Sequence, residues 1–160
     1  MSPRHLSHLV EANRNFAEQI RSADQKAAYI FTFILALVVW SAETRRSFSF
    51  DHLGTTGFFN LLASLVLMGA VGTALVAAVC VVLPRSRPGT SVFFWGAWPE
   101  AGKALADARK RGDLEFIYQD YLHDTENLAA ICKSKYRCVA IAFRAMSVVF
   151  AAYIAVLMTG

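Results

Sequence analysis

The sequence predicts an all-α membrane protein, with three transmembrane helices whose cytosolic extensions form a small bundle. Of its 160 residues, 56% are hydrophobic and 18% are charged, and the mean hydropathy is +0.39. A soluble domain of this length cannot bury so much apolar surface in one core, whereas a bilayer can cover it. Three long apolar runs supply the predicted spans, at residues 27–42, 58–83 and 138–159.

The segments outside the three runs are predicted to be helices and one loop. Residues 1–26 carry apolar side chains at three- and four-residue steps, which predicts a cytosolic amphipathic helix that continues into the first span. Residues 84–137 begin with an aromatic loop and continue as two helices. We expect the first of these to begin at Pro99 and end at Gly112, and the second to run unbroken into the third span.

Basic residues predict the orientation of the chain. They flank the same side of all three spans, at Arg14, Arg21, Lys26, Arg85, Arg87, Lys133, Lys135 and Arg137. The loop at residues 43–53 has only Arg45 and Arg46, balanced by Glu43 and Asp51. The positive-inside rule therefore predicts a cytosolic N-terminus and an outside C-terminus. It also accounts for the net charge of +4 without nucleic acid as a partner.

No pattern in the sequence indicates catalysis or a metal site. It lacks the Walker A loop and the signatures GxSxG, HExxH and GxGxxG. The three cysteines, Cys80, Cys132 and Cys138, form neither a CxxC motif nor a cluster with histidine, which favours packing roles. His5 and His8 share a helix face but lack a third ligand. We therefore expect a protein that is not an enzyme and holds no cofactor.

An acidic residue at a membrane boundary indicates a coupling site. Asp24 lies three residues before the first span and Lys135 three before the third, so parallel helices would place them at similar heights. We expect Asp24 to pair with Lys135 or Lys133, either as a hinge between cytosolic sensing and membrane action or as a static clamp. Lys26 and Arg137 border the same boundary. Arg144, inside the third span, either reaches toward the headgroups or has a functional role.

Small residues in the second span predict a close helix contact. Gly69, Gly72, Thr73 and Ala77 lie within about two turns. Such residues let helix backbones approach. The contact is either between copies in a homo-oligomer or within one chain.

The two boundary segments resemble a known family. Residues 21–27 (RSADQKA) and 127–137 (NLAAICKSKYR) are similar to the span-entering motifs R-x-AD-x-KA and LA-x-(I/V)-x-x-x-KYR of bacterial Pycsar effector membrane domains. The proline-led aromatic loop after the second span also fits. The resemblance implies an effector of antiphage defence in the bacterial inner membrane. It would impair that membrane when a nucleotide cyclase makes a cyclic-nucleotide messenger.

A messenger of this kind would be the activating ligand, and its phosphate would favour basic residues beside aromatic rings. We expect it to bind the cytosolic helices, or a partner to deliver the trigger. The phosphate would meet either Lys133 and Lys135 or the run Arg109, Lys110 and Arg111, and Tyr118 or Tyr121 would stack on the base. The same basic residues could instead meet lipid headgroups.

Two other functions fit the sequence less directly. A non-catalytic membrane adaptor or scaffold would bind a protein partner through the same cytosolic helices. A membrane enzyme would need convergent polar groups, for which only Asp24, His123, Asp124, Lys133 and Lys135 are available.

Overall fold

A computed structural model of the chain describes residues 3–48, 57–83, 98 and 100–159. These residues form the helices α1 (Pro3–Trp40), α2 (Ala42–Ser47), α3 (Phe58–Val82), α4 (Glu100–Arg111) and α5 (Leu114–Thr159). The described ranges contain no strand. Helices α1, α3 and α5 are each long and apolar enough to cross a membrane. The predicted all-α fold with three spans is therefore confirmed.

The chain divides into two compact units. The polar unit comprises Met1–Ser22 and Pro84–Ser134, and the spanning unit comprises Ala23–Leu83 and Lys135–Gly160. Helices α1 and α5 contribute residues to both units without a break, as the sequence predicts. Their 38 and 46 residues correspond to about 57 and 69 Å of helix. Both exceed the hydrocarbon thickness of about 30 Å, so each helix is longer than a membrane span requires.

The turn between α4 and α5 follows from two residues. Gly112 has a φ of 68°, a left-handed conformation that glycine adopts without a Cβ clash, and it ends α4. Asp113 then caps α5, because the backbone N–H of Phe116 donates to Asp113 Oδ1 at 3.0 Å. The predicted stop at Gly112 is confirmed. The predicted aromatic loop at residues 84–98 lies outside the described residues, apart from an exposed Trp98.

The core of the spanning unit is built mostly from small side chains. Residues of α1, α3 and α5 meet in one buried cluster: Ile30, Ile34, Leu67, Ala70, Val71, Ala74, Ala77, Ala142, Ala145, Val149, Ala152 and Val156. In a membrane, helices associate by van der Waals packing, which close backbone approach improves. The alanines supply that approach.

The first span and the loop after it differ from the prediction. Helix α1 ends at Trp40, so the apolar run 27–42 is not one continuous helix. The segment predicted as a loop contains α2, which packs against α3. The hydroxyl of Ser41 accepts the backbone N–H of Thr44 at 3.1 Å and so starts α2. This capping serine follows an apolar run directly, which hid the break in the hydrophobic pattern.

Candidate functional site

The spanning unit begins, on both α1 and α5, with a charged pair. Lys135 Nζ donates to Asp24 Oδ1, joining two helices 111 residues apart in the chain. The Lys135 side chain is 6% exposed and that of Asp24 is 38% exposed. The pairing expected from the equal offsets is present, and Lys135 rather than the exposed Lys133 supplies the cation. An ammonium buried this deeply requires its partner, because an unpaired charge there would be poorly solvated.

The other boundary residues lie around this pair. Lys26 Nζ is 5.4 Å from the centre of the Tyr136 ring, a cation–π contact. Arg137 is exposed and makes no hydrogen bond or ion pair with any described residue. The described boundary residues therefore include an ion pair with a buried lysine, a second lysine that contacts an aromatic ring, and an exposed arginine.

A second polar cluster of the spanning unit, not predicted from the sequence, lies between α2 and α3. Ser64 Oγ lies 3.3 Å from both Ser47 Oγ and Asn60 Oδ1, and all three residues are buried. Thr44 is fully buried on the same α2 face, and its hydroxyl has no hydrogen-bond partner among the described residues. Asn60 is only 6% exposed. The burial of Asn60 depends on α2, which the sequence did not reveal.

The small residues of α3 border an open groove rather than a packed contact. Gly69, Gly72 and Thr73 are exposed, whereas Ala77 belongs to the core. A Cβ placed on either glycine would meet no atom within 4 Å. The groove is completed by α5 and is lined by Gly69, Gly72, Thr73, Val76, Ala77, Cys80, Cys138 and Ile141. Within one chain, only Ala77 of the predicted set packs against neighbouring helices.

Arg144 lies on the outer surface of the spanning unit. It is exposed, and no residue in the described part of the chain forms a hydrogen bond or ion pair with it. Its neighbours Ala142 and Ala145 are buried in the core, so α5 directs the arginine away from the other helices.

The two predicted sets of basic residues lie in different parts of the fold. Tyr118 and Lys133 lie on the continuous helix α5, about 22 Å apart along its axis, which is longer than a mononucleotide. Lys135 belongs to the spanning unit and is already paired with Asp24. Tyr118 and Tyr121, both half-buried, lie near the start of α5, which follows the basic end of α4 after two residues.

The basic end of α4 is exposed in the polar unit. Arg109, Lys110 and Arg111 occupy the last turn of the helix. Lys110 lies 3.5 Å from Asp107 in an exposed pair, which contributes little to stability. Arg109 and Lys110 also line a shallow groove along α4 with Gly102, Leu105 and Ala106.

A half-buried polar contact in the polar unit was not predicted from the sequence. Asn13 Nδ2 donates to Asp124 Oδ2 at 2.8 Å, linking α1 to α5. Both residues fall on the apolar stripes of their helices, Asn13 four residues after Leu9 and Asp124 four before Leu128. A polar residue within an apolar stripe is the signal that could have identified them. His123, the neighbour of Asp124, is exposed.

Comparison with known proteins identifies the family. No curated protein sequence and no solved structure matches the chain significantly. The family model described as the Pycsar effector protein domain matches residues 8–160, nearly the whole sequence. That range contains both boundary motifs, the Asp24–Lys135 pair and all three predicted spans. The chain therefore belongs to the Pycsar effector family.

Proposed function

We propose that this protein impairs the integrity of the bacterial inner membrane in response to a cyclic nucleotide, as the effector of an antiphage defence system. Its membership of the Pycsar effector family supports a cyclic-nucleotide-signalled antiphage role. The observation that supports membrane action is the continuity of α1 and α5, each of which contributes to the polar unit and to the spanning unit. In this proposal, a ligand-induced displacement of either helix in the polar unit acts on the spanning unit through the same continuous helix.

The Asp24–Lys135 pair is the proposed point at which this displacement acts on the membrane part. It joins the two continuous helices at the first residues of the spanning unit. Because Lys135 is buried, a relative shift of the helices that separated the two charges would expose an ammonium in need of water. The pair thus favours the resting arrangement. In this proposal a nucleotide cyclase supplies the messenger, and the polar unit lies in the cytosol.

The messenger is proposed to bind the polar unit at the end where α4 meets α5. Arg109 and Lys110 are exposed cations that suit a phosphate, and Tyr118 and Tyr121 on the following helix offer ring surfaces for a base. Lys133 lies too far along α5 to reach the same ligand. Together, α4 and the beginning of α5 provide a binding partner for each part of a cyclic mononucleotide, cations for its phosphate and aromatic rings for its base.

Dye release from vesicles tests the function. The full chain would be reconstituted into anionic vesicles loaded with a fluorescent dye, and each of the four 3′,5′-cyclic mononucleotides would be added in turn. We expect one of them to release the dye. The same nucleotide should stabilise the purified protein by about 2.7 kcal/mol at one hundred times its Kd, which raises the Tm by about 5–10 °C.

Variants of α4 test the proposed binding site. The double variant Arg109→Ala/Lys110→Ala should abolish both the Tm shift and the dye release. Lys103→Ala, which removes an exposed cation from the same helix outside the basic end, should change neither. A Tm shift that survives in the double variant would exclude these residues as the site. If no cyclic mononucleotide shifts the Tm or releases dye, the proposed function is wrong and a scaffold role is favoured.

A further inference from the structure

Arg144 is a charge on the outer surface of a membrane-spanning helix. It follows Lys135 by nine residues, about 13 Å along α5, and the apolar run containing it continues to residue 159. The three apolar runs contain no acidic residue that could neutralise it, in this chain or in a second copy. A guanidinium at this depth is unstable against hydrocarbon and therefore requires water or a phosphate.

The residues around Arg144 form a stripe along α5 that is unlike a lipid-facing surface. Arg137, Ala140, Arg144, Ser147 and Ala151 follow one another at steps of three and four residues, which places them on one helix face. All five are exposed. Bulky apolar residues border the stripe, with Phe143 56% exposed and Val148 45% exposed. The stripe itself carries only basic, hydroxyl and methyl side chains.

Arg137 lies on the path from Arg144 to the headgroups and competes with it for them. Side chains on a helix lean toward its N-terminus, which for Arg144 is the direction of Arg137 on the same stripe. A guanidinium reaching for the headgroups would approach a second guanidinium already near them. The hydroxyl of Ser147 donates to the carbonyl of Phe143 at 3.1 Å, and no hydrogen bond joins Ser147 to Arg144 in the described part of the chain.

We propose that this α5 stripe lines a water-filled lumen formed by several copies of the chain, through which small inorganic anions pass. This inference rests on the proposed function and specifies its mechanism as a pore. Water in the lumen solvates Arg144, and the small side chains of Ala140, Ser147 and Ala151 leave room for it. Rings of arginine favour anions in pores of this kind.

The groove beside the stripe supplies the contact between copies. Ile141 belongs to the groove and lies next to Arg144 on α5, so the two surfaces are adjacent. The exposed Gly69 and Gly72 allow a helix of a neighbouring copy to approach α3 closely. Each copy would thus contact its neighbour through the apolar groove and face the water of the lumen through the α5 stripe.

Ion selectivity in a planar bilayer tests the proposal. The full chain would be incorporated and activated with the four 3′,5′-cyclic mononucleotides under a potassium chloride gradient. We expect the reversal potential to indicate a preference for chloride over potassium. Arg144→Gln should lower this preference roughly fivefold, because that factor corresponds to the interaction of two unit charges about 4 Å apart in water. Arg144→Lys should keep the preference. Arg144→Glu should reverse it, and Arg144→Gln alone decides the matter if the acidic variant fails to insert.

Cysteine accessibility provides an independent measurement. In a chain whose three native cysteines are replaced by alanine, Ser147→Cys should react with a hydrophilic thiol reagent once the protein is activated. Leu35→Cys, at an exposed position of α1 eleven residues beyond Asp24, as Ser147 is twelve beyond Lys135, should remain unreactive. If the ion selectivity is the same in all Arg144 variants and Ser147→Cys does not react, the α5 stripe does not line a lumen. Currents in that case would still support membrane impairment. No current and no dye release would overturn both proposals.

Discussion

Lys135 and Asp24 are unequally buried, and this difference decides how their ion pair contributes to stability. The lysine side chain is 6% exposed, whereas the aspartate side chain is 38% exposed. Water can therefore solvate Asp24 when it is alone, but it cannot easily reach the ammonium of Lys135. Removing one partner of a buried pair is costly mainly because of the charge left behind. The two single substitutions should consequently have different effects.

Asp24→Asn should destabilise the protein more than Lys135→Met does. The first change leaves a buried ammonium unpaired and should cost about 3 kcal/mol, whereas the second leaves a half-exposed carboxylate and should cost about 1 kcal/mol. The measurement is the Tm of the purified protein in detergent. The double variant should recover part of the loss, with a coupling of about 1–2 kcal/mol in a double-mutant cycle.

The same variants separate a hinge from a clamp. If the pair holds the resting arrangement, Asp24→Asn should release dye from vesicles without nucleotide. Coupling in stability together with normal, nucleotide-dependent release would identify a static clamp. Equal destabilisation by both single variants would contradict the argument from burial.

The residues of this pair could be predicted from the sequence, but other polar contacts could not. Asp24 and Lys135 each lie three residues before the start of an apolar run. This spacing can be read from the sequence, and for parallel helices it was sufficient to predict that the two residues pair. The burial of Asn60 depends on which face of α3 meets α2, a three-dimensional property that the sequence did not reveal. The separation of Tyr118 from Lys133 could have been predicted, because both were expected on one continuous helix.

At the scale of helices, α3 presents two unlike faces. One face contributes Leu67, Val71 and Ala74 to the core, and the other leaves Gly69 and Gly72 in an open groove. Glycine in the interior of a helix is unfavourable by about 1 kcal/mol relative to alanine, so its use here needs a compensating contact. Because no contact within the described chain supplies one, a neighbouring copy is the proposed source.

Gly72→Leu should block assembly without unfolding the protein. The open space around Gly72 accepts a larger side chain in one copy, while the added bulk keeps a second helix at a distance. We expect chemical crosslinking in vesicles to lose its higher-order bands, and the Tm in detergent to stay the same or rise. Val82→Leu, which enlarges an exposed α3 side chain on a different face from the groove, is the matched control and should crosslink normally. Unchanged crosslinking of Gly72→Leu would remove this interface.

The helices themselves were predictable to different degrees. The long elements α1 and α5 follow from sustained three- and four-residue periodicity, and the end of α4 follows from Gly112. Helix α2 has only six residues and begins at a serine cap inside an apolar context, so neither periodicity nor composition indicated it. Its two buried hydroxyl residues, Thr44 and Ser47, resemble ordinary loop residues until α3 is packed against them.

At the scale of the whole chain, charge and apolarity are separated in the way that a fixed membrane orientation requires. All eight flanking basic residues precede the first span or lie between the second and third spans. The polar unit draws on the same two stretches of sequence. One orientation would place every one of these residues in the cytosol, where the positive-inside rule favours them.

We predict a cytosolic N-terminus and an outside C-terminus in living bacteria. Alkaline phosphatase fused after Gly160 should be active, because it folds only outside the cytosol, and a green fluorescent protein at the same place should be dark. Adding cations to the short loop through Ser49→Lys and His52→Lys should weaken the bias and yield both signals. The matched variants Ser49→Glu and His52→Glu should leave it intact, since acidic residues contribute little to orientation. Fluorescence from a C-terminal fusion of the unmodified chain would show that the orientation is the opposite of the predicted one. The proposed messenger site would then lie outside the cytosol, where a cytosolic cyclase could not supply the messenger.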